Sequence, residues 1–180
     1  MNIQTTRGCP FNCEFCDIIA LFGRIPRHKT IQQVLAEIDI AYRLGAKRIV
    51  FSDDNFIGSR KYAEDLLQSL IHYQNQKGKS RLSFETQVSI NLAEDENILE
   101  LMRQVGMTRG LVGIETPSEK ALTHVNKKVN IRYNLIHAIQ KIHAHGIQVV
   151  AGMIVGFDQD GPEIFEQHFQ FLQKAIAISF

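Results

Sequence analysis

Residues 5–18 read TTRGCPFNCEFCDI and hold all three cysteines of the chain, Cys9, Cys13 and Cys16. Their spacing is C-x3-C-x2-C, with Phe15 directly before the third. Three thiolates in one short loop can hold three irons of a four-iron cubane, leaving the fourth iron open to another ligand. Iron–sulfur clusters are otherwise held by four Cys thiolates. A set of three therefore suggests a reactive cluster rather than an electron wire. A zinc site would need a fourth N or S ligand, which His28 or a more distant His would have to supply. A disulfide framework fits an odd cysteine count poorly. Cysteines are also small apolar core residues in their own right.

Working outward, the chain of 180 residues has the length of one domain, 1–180. Hydrophobic residues make up 44% and charged residues 22%, as in a soluble globular protein able to bury a core. Lys and Arg number 20 against 19 Asp and Glu, a formal charge of +1. No bulk basic field argues for nucleic acid. No apolar run reaches the roughly 18 residues of a membrane-spanning helix. The opening MNIQTTRGCP is neither a signal nor a transit peptide. Free cysteines without an export signal point to the reducing cytoplasm.

Five strand–helix units alternate along the chain. Ile3 to Thr6 form a first short strand leading to the cysteine loop, where Gly8 permits the turn and Pro10 stiffens it. A first helix spans 30–44, with Thr30 and Gln33 as a capping box, Ile31, Val34, Leu35, Ile38 and Tyr42 on one face, and Gly45 as stop. Residues 48–51 form a second strand, followed by a helix over 59–76 with Tyr62, Leu66, Leu67 and Leu70 inward. Strand three, 82–88, alternates Phe84, Thr86 and Val88 with Glu85 and Gln87. That polar face lines a barrel lumen or is simply solvated. A helix over 95–105 follows, with Asp95 as cap. Strand four is 110–115, followed by a helical turn over 118–125. The next helix spans 131–145, capped by Asn130, with Leu135, Ile136, Ile139 and Ile142 inward. The fifth strand is 147–157, interrupted by Gly152 and Gly156. A last helix starts near Pro162, with Ile164, Phe165, Phe169, Leu172 and Ile176 as its apolar face. Such alternation implies right-handed crossovers and a parallel sheet. The expected class is α/β, a partial parallel (β/α) barrel of about five units.

Parallel β/α folds place their active sites at the C-terminal ends of the strands. Those ends here carry the cysteine loop, then Asp53, Asp54 and Asn55, then Gln87, Ser89 and Asn91, then Glu115 and Thr116, then Gly156 and Asp158. The carboxylates can accept from an amino group or a sugar diol, and glycines let backbone approach a flat ring. The plainer alternatives are loop capping by Asp53 and Asp54, a β-bulge at the glycines, and core packing by Phe11 and Phe15. Lys127 and Lys128 read as a solvated loop.

CPFNCEFC resembles the CxxxCxΦC motif of the radical SAM enzymes, in which Φ is aromatic. The resemblance implies a [4Fe–4S] cluster on Cys9, Cys13 and Cys16, with S-adenosylmethionine (SAM) chelating the open iron. Cleavage of its sulfonium then gives a 5′-deoxyadenosyl radical. The resemblance places Asp53 or Asp54, and Glu115, at SAM contacts; from their positions in the loop and at the third strand end, Phe15 would shield one side of the cluster and Gln87 would join the cofactor-binding edge. GMIVGFDQ is similar to the fifth-strand motif near adenine, which carries over Gly152, Ile154 and Gly156; Gln159 stands where Glu is usual. SDDN stands where the family's second-strand motif has Gly-Glu. CEFCDIIALFGRIPRHKT, FSDDNFIG, GLVGIETPSEKAL and GMIVGFD together resemble the B12-binding radical SAM group of the hopanoid C-2 methylase type. That group carries a cobalamin domain ahead of the core. Here cobalamin would come only through a missing or separate domain, and the chain stops before the usual sixth strand. Implied partners are a reductant such as flavodoxin or ferredoxin, and a cobalamin domain or barrel segment in trans. The rival reading is an inactive fragment or cluster-binding module acting through a partner.

Overall fold

Short apolar runs separated by amphipathic helices leave the backbone one economical way to bury its strands on both sides. In the computed structural model, which describes residues 1–76 and 81–176, β1 (Asn2–Ile3), β4 (Arg48–Phe51), β5 (Ser83–Val88), β6 (Met107–Glu115) and β7 (Gln148–Met153) form one parallel sheet in the order β1-β4-β5-β6-β7. The strict alternation of the sequence is realised as a five-strand parallel sheet.

Helices cover one face. α2 (Ile31–Arg43) begins at the expected capping box: the Gln33 N–H donates to Thr30 Oγ1 at 3.2 Å, and the Thr30 N–H to Gln33 Oε1 at 2.9 Å. It buries Val34, Ile38 and Ala41 completely. α3 (Arg60–Gln76) sets Leu66, Leu67 and Leu70 against the sheet with no exposed surface. Truncating any of these leucines to Ala costs about 2–5 kcal/mol. α4 (Glu96–Val105) is capped by Asp95, whose carboxylate accepts the Ile98 N–H at 3.1 Å. Phe51 stacks on both Phe56 and Phe84, joining β4 to β5 inside the core.

Several expected boundaries move. The first strand is shorter than 3–6. After Ile3 the chain leaves the sheet, and β2 (Thr6–Arg7) pairs antiparallel with β3 (Arg27–His28). The physical reason is Asp53, which takes the Thr5 and Thr6 N–H groups for itself. Between β2 and β3 lie the cysteine loop and α1 (Ile18–Phe22), a helix not anticipated from the sequence.

Following β6 come α5 (Glu119–His124), α6 (Lys128–Ile131) and α7 (Leu135–Ala144). Asn134 caps α7 by accepting the His137 N–H. Asn130 was the expected cap, but its amide instead donates to the Gly113 and Ile114 carbonyls at 3.0 and 2.9 Å. β7 ends at Met153, so Gly156 lies in the loop beyond it with φ 105°. α8 (Ile164–Ile176) turns Ile164, His168, Phe171 and Ala175 inward, whereas Phe165 and Phe169 are exposed. Of the expected face, Ile164 is buried and Leu172 packs against the core, His168 takes an inner site in place of Phe165 and Phe169, and the Ile176 side chain lies outside the described residues.

The opposite face of the sheet is concave and open. Glu85, Gln87, Arg109, Leu111 and Val150 line a cavity of ≈ 510 Å³ there. Glu85 is held by Arg48 at 3.2 Å and Arg109 at 3.7 Å. Phe84, Thr86 and Val88 point the other way, into the helix-covered core.

Candidate functional site

The cysteine loop starts at Gly8 and is anchored from below by the end of β4. The Gly8 N–H donates to Asp54 Oδ2 at 2.7 Å. Asp53 is buried and accepts the Thr5 N–H at 2.6 Å, the Thr6 N–H at 3.0 Å and the Thr5 hydroxyl. Burial pushes its carboxyl up from the ordinary value, while these bonds oppose that shift. Its oxygens are thus engaged by the chain itself, and Asp53 holds the loop in place. Asp54 does two things: it caps Gly8 and it lines the cavity above. Gly8 has φ 104°, and a Cβ there would stand 3.1 Å from both the Gly23 and Ile25 carbonyl oxygens. Only glycine lets residues 23–25 close over the loop.

All three cysteines are free, and all three line one cavity of ≈ 220 Å³ beside Phe15, Asp54, Asn55, Gln87, Glu115 and Lys127. Burial pushes the Cys9 and Cys13 thiols up. The Phe11 amide and the Asn55 side chain at Cys9, and the Lys127 ammonium near both, pull the other way. The Asn55 amide also donates to Ser89 Oγ at 3.1 Å, which ties the end of β4 to the end of β5.

The far wall is built by β6. Its register shifts between Gly113 and Glu115, and Glu115 adopts φ 66°. A left-handed non-glycine residue costs on the order of 1–3 kcal/mol and collects at functional sites. Here the bulge aims Glu115 at Lys127, with Oε1 and Nζ 2.8 Å apart and side-chain exposures of 9% and 14%. The Lys127 ammonium also lies 5.8 Å from the Phe15 ring centroid. Phe15 in turn meets Phe157 at 5.9 Å. Gly113 has room for nothing more: a Cβ would fall 2.2 Å from Glu115 Oε1 and 3.0 Å from Lys127 Nζ. Gly113 pairs in register with Gly152, so two glycines lie side by side on adjacent strands.

The structure thus brings Cys9, Cys13, Cys16, Phe15, Asp54, Gln87 and Glu115 to one cavity. Gly152, Ile154 and Gly156 do not line it. Ile154 supports it from outside, its N–H donating to the Glu115 carbonyl at 2.7 Å. The Gly156 N–H is tied to Asp160 Oδ2 at 2.9 Å. Lys127 is a correction: it was expected in a solvated loop, yet its ammonium is enclosed. Its pairing spans 12 residues and carries no periodic signal. Gly113 was also missed, since a lone glycine in an apolar strand says nothing about which atoms need its space.

The donor set can be tested against a metal group. Among the described residues no three His, Cys, Asp or Glu side chains are arranged to hold a single metal ion. A zinc ion draws its thiolates to about 2.3 Å, and no His lines the cavity to complete such a set. Three thiols lining one cavity are a soft sulfur donor set of the kind that holds an iron–sulfur group.

The chain is 41% identical over 175 residues to the hopanoid C-2 methylase of Rhodopseudomonas palustris, covering 97% of this chain and 33% of that one. It is 43% identical over 159 residues to an uncharacterised methyltransferase of Synechocystis, covering 88% of this chain and 30% of that one. The chain therefore spans about a third of the length of these relatives. By fold it resembles the radical SAM methyltransferase TsrM of Kitasatospora setae, solved with cobalamin and a [4Fe–4S] cluster, at TM-score 0.83 and 18% identity over 96% of this chain and 34% of that one. It also resembles the cobalamin-dependent SAM radical enzyme OxsB, at TM-score 0.74 and 21% identity over 95% of this chain and 26% of that one. The family model of the radical SAM superfamily matches residues 3–172. From the cysteine loop to α8, this chain belongs to the radical SAM superfamily of enzymes.

Proposed function

We propose that Cys9, Cys13 and Cys16 hold a [4Fe–4S] cluster that binds SAM, and that the chain is the radical-generating core of a methyltransferase-type enzyme. The observation that carries this reading is the convergence of three free thiols and the buried Glu115–Lys127 pair on one cavity. Bound there, the reduced cluster would supply the electron that splits the SAM sulfonium into methionine and a 5′-deoxyadenosyl radical.

The chain's own residues do the rest. The Phe11 amide and Asn55 stabilise sulfur charge at Cys9. Phe15 lines the cavity and would shield one side of the cluster. Glu115 and Asp54 present acceptors for an ammonium or hydroxyl of SAM, Gln87 presents both donor and acceptor, and Lys127 presents a positive charge. The paired Gly113 and Gly152 leave a step without side chains beside that wall. Gly152, Ile154 and Gly156 act through the backbone that carries it.

The printed names of the relatives favour methyl transfer. A cobalamin domain, in another part of the protein or in trans, would then supply the methyl carrier. Flavodoxin or ferredoxin would supply electrons, and the reducing cytoplasm suits three free thiols. The test is anaerobic reconstitution with iron and sulfide, followed by electron paramagnetic resonance. The expected result is a cubane signal that shifts on adding SAM, with 5′-deoxyadenosine formed under reductant. No signal, or one indifferent to SAM, sinks the proposal.

A second reading is a cluster-binding module that acts through a partner. The exposed Leu111 and Val150 on the concave face, at 41% and 43% exposure, favour something covering that side. A cluster that forms while no 5′-deoxyadenosine appears would select this reading.

A further inference from the structure

Glu115 reaches the cavity because its backbone is bent, and the bend is held from behind. The Thr116 N–H donates to the Ile114 carbonyl at 2.9 Å across Glu115, whose φ is 66°. A three-residue turn with positive φ is rare and strained, and such strain persists only where the surroundings impose it. The β5 ladder stops at Val88 and Val112, so the Gly113 and Ile114 carbonyls lie beyond it. Asn130 takes both, its Nδ2 donating to Gly113 at 3.0 Å and to Ile114 at 2.9 Å. From the β7 side the Ile154 N–H holds the Glu115 carbonyl at 2.7 Å. Asn130 is 1% exposed and does not line the cysteine cavity. Its Oδ1 makes no hydrogen bond among the described residues. The side chain therefore acts through its donors, and Asn is the short side chain that supplies two from one nitrogen. Lys127 is the N-cap of α6, the helix that carries Asn130. Residues 127–130 thus supply both the cation that pairs with the Glu115 side chain and the amide that fixes its backbone.

We propose that Asn130 is a positioning residue for SAM binding: its grip on two successive carbonyls sets the turn that aims the Glu115 carboxylate into the cavity. The inference rests on the assignment of SAM to that cavity. With the grip released, the strand end straightens. On a straight strand, residues two apart on one face stand about 7 Å apart. Glu115 then withdraws from its place over Gly113 and from Lys127, while the cysteine loop, which Asn130 does not bond, keeps its thiols in place.

The experiment uses the full reconstituted chain. SAM affinity is measured by equilibrium dialysis of labelled SAM against the oxidised protein, with iron content and thermal melting measured on the same samples. Asn130→Leu keeps a branched side chain without donors and should weaken SAM binding about tenfold or more, because a small misplacement of an orienting group is costly. Its iron content and visible absorbance should match wild type. Asn130→Asp keeps the shape, and burial against two carbonyls holds its carboxyl protonated. It thereby returns one donor, and its loss should lie between wild type and Asn130→Leu. In a Glu115→Gln background, Asn130→Leu should cost less than about twofold more, since its effect passes through Glu115. A variant that folds and keeps its iron, yet binds SAM within about twofold of wild type, overturns the positioning role while the cluster assignment stands. A full further loss in the Glu115→Gln background overturns it as well. So does loss of the fold in both variants, which would make Asn130 a residue of the fold alone. A wild-type chain that assembles no cluster, or binds no SAM, overturns the proposed function and this role with it.

Discussion

Lys127 and Glu115 form the most enclosed ion pair among the described residues. Each is nearly enclosed, and Glu115 sits on strained backbone. Removing one partner of a buried pair leaves the other charge without compensation, at about 3–5 kcal/mol. Lys127→Met should therefore destabilise the chain by about 3 kcal/mol in urea denaturation. Adding Glu115→Gln should restore more than half of that loss, since no buried charge remains. A single-variant loss below about 1 kcal/mol would mean the pair is solvated in solution. The cysteines and Phe15 were legible in the sequence because their chemistry is local: four residues within an eight-residue run. Lys127 was not, because its partner comes from a different element and only tertiary contact joins them. Asp53 stood at the right strand end, but the sequence does not say that Thr5 and Thr6 already hold its oxygens.

At the scale of elements, β6 positions the site through what it lacks. The space over Gly113 belongs to the Glu115 and Lys127 side-chain ends, so a methyl there shifts both ends together, with their ion pair kept, and leaves the strand in place. Gly113→Ala should leave thermal stability within about 1 kcal/mol of wild type. Its SAM affinity, measured on reconstituted protein, should fall at least tenfold. Gly8→Ala should behave in the opposite way. Its φ of 104° is strained for any side chain, and the two backbone oxygens at 3.1 Å would have to give way. The loop should lose order, iron content after reconstitution should drop, and stability should fall by about 1–3 kcal/mol. Element identity was readable wherever periodicity and caps agreed, as at Thr30 and Asp95. It slipped where a polar residue was given the wrong task. Asn130 bonds the end of β6 rather than capping a helix, and His168 rather than Phe169 faces inward on α8.

Across the whole molecule, buried His168 and part-buried His143 make the fold sensitive to pH between neutrality and about pH 5. His168 on α8 approaches the Thr116 hydroxyl at 3.4 Å, next to the residue that carries the cavity's carboxylate. The His143 ring accepts the Val149 N–H at 3.1 Å through Nε2, so protonation there would break the bond that joins α7 to β7. Burial lowers both pKa values below the ordinary 6.5, and for His168 the nearby Asp160 carboxylate opposes the shift. The unfolded chain thus binds protons at a pH where the folded chain does not. Stability is fully present above pH 6.5 and declines as pH falls from there toward the folded-state values. The slope is at most about 1.4 kcal/mol per pH unit for each histidine. Glu96 titrates in a separate window. Its pKa is lowered by bonds to Lys141 and His145, so its small contribution is lost only below its ordinary 4.5. Urea midpoints between pH 8 and pH 5 should therefore fall for the wild type, less for His143→Gln or His168→Gln, and least for the double variant. Equal slopes in all four proteins would show that the fold holds neither histidine in its neutral form.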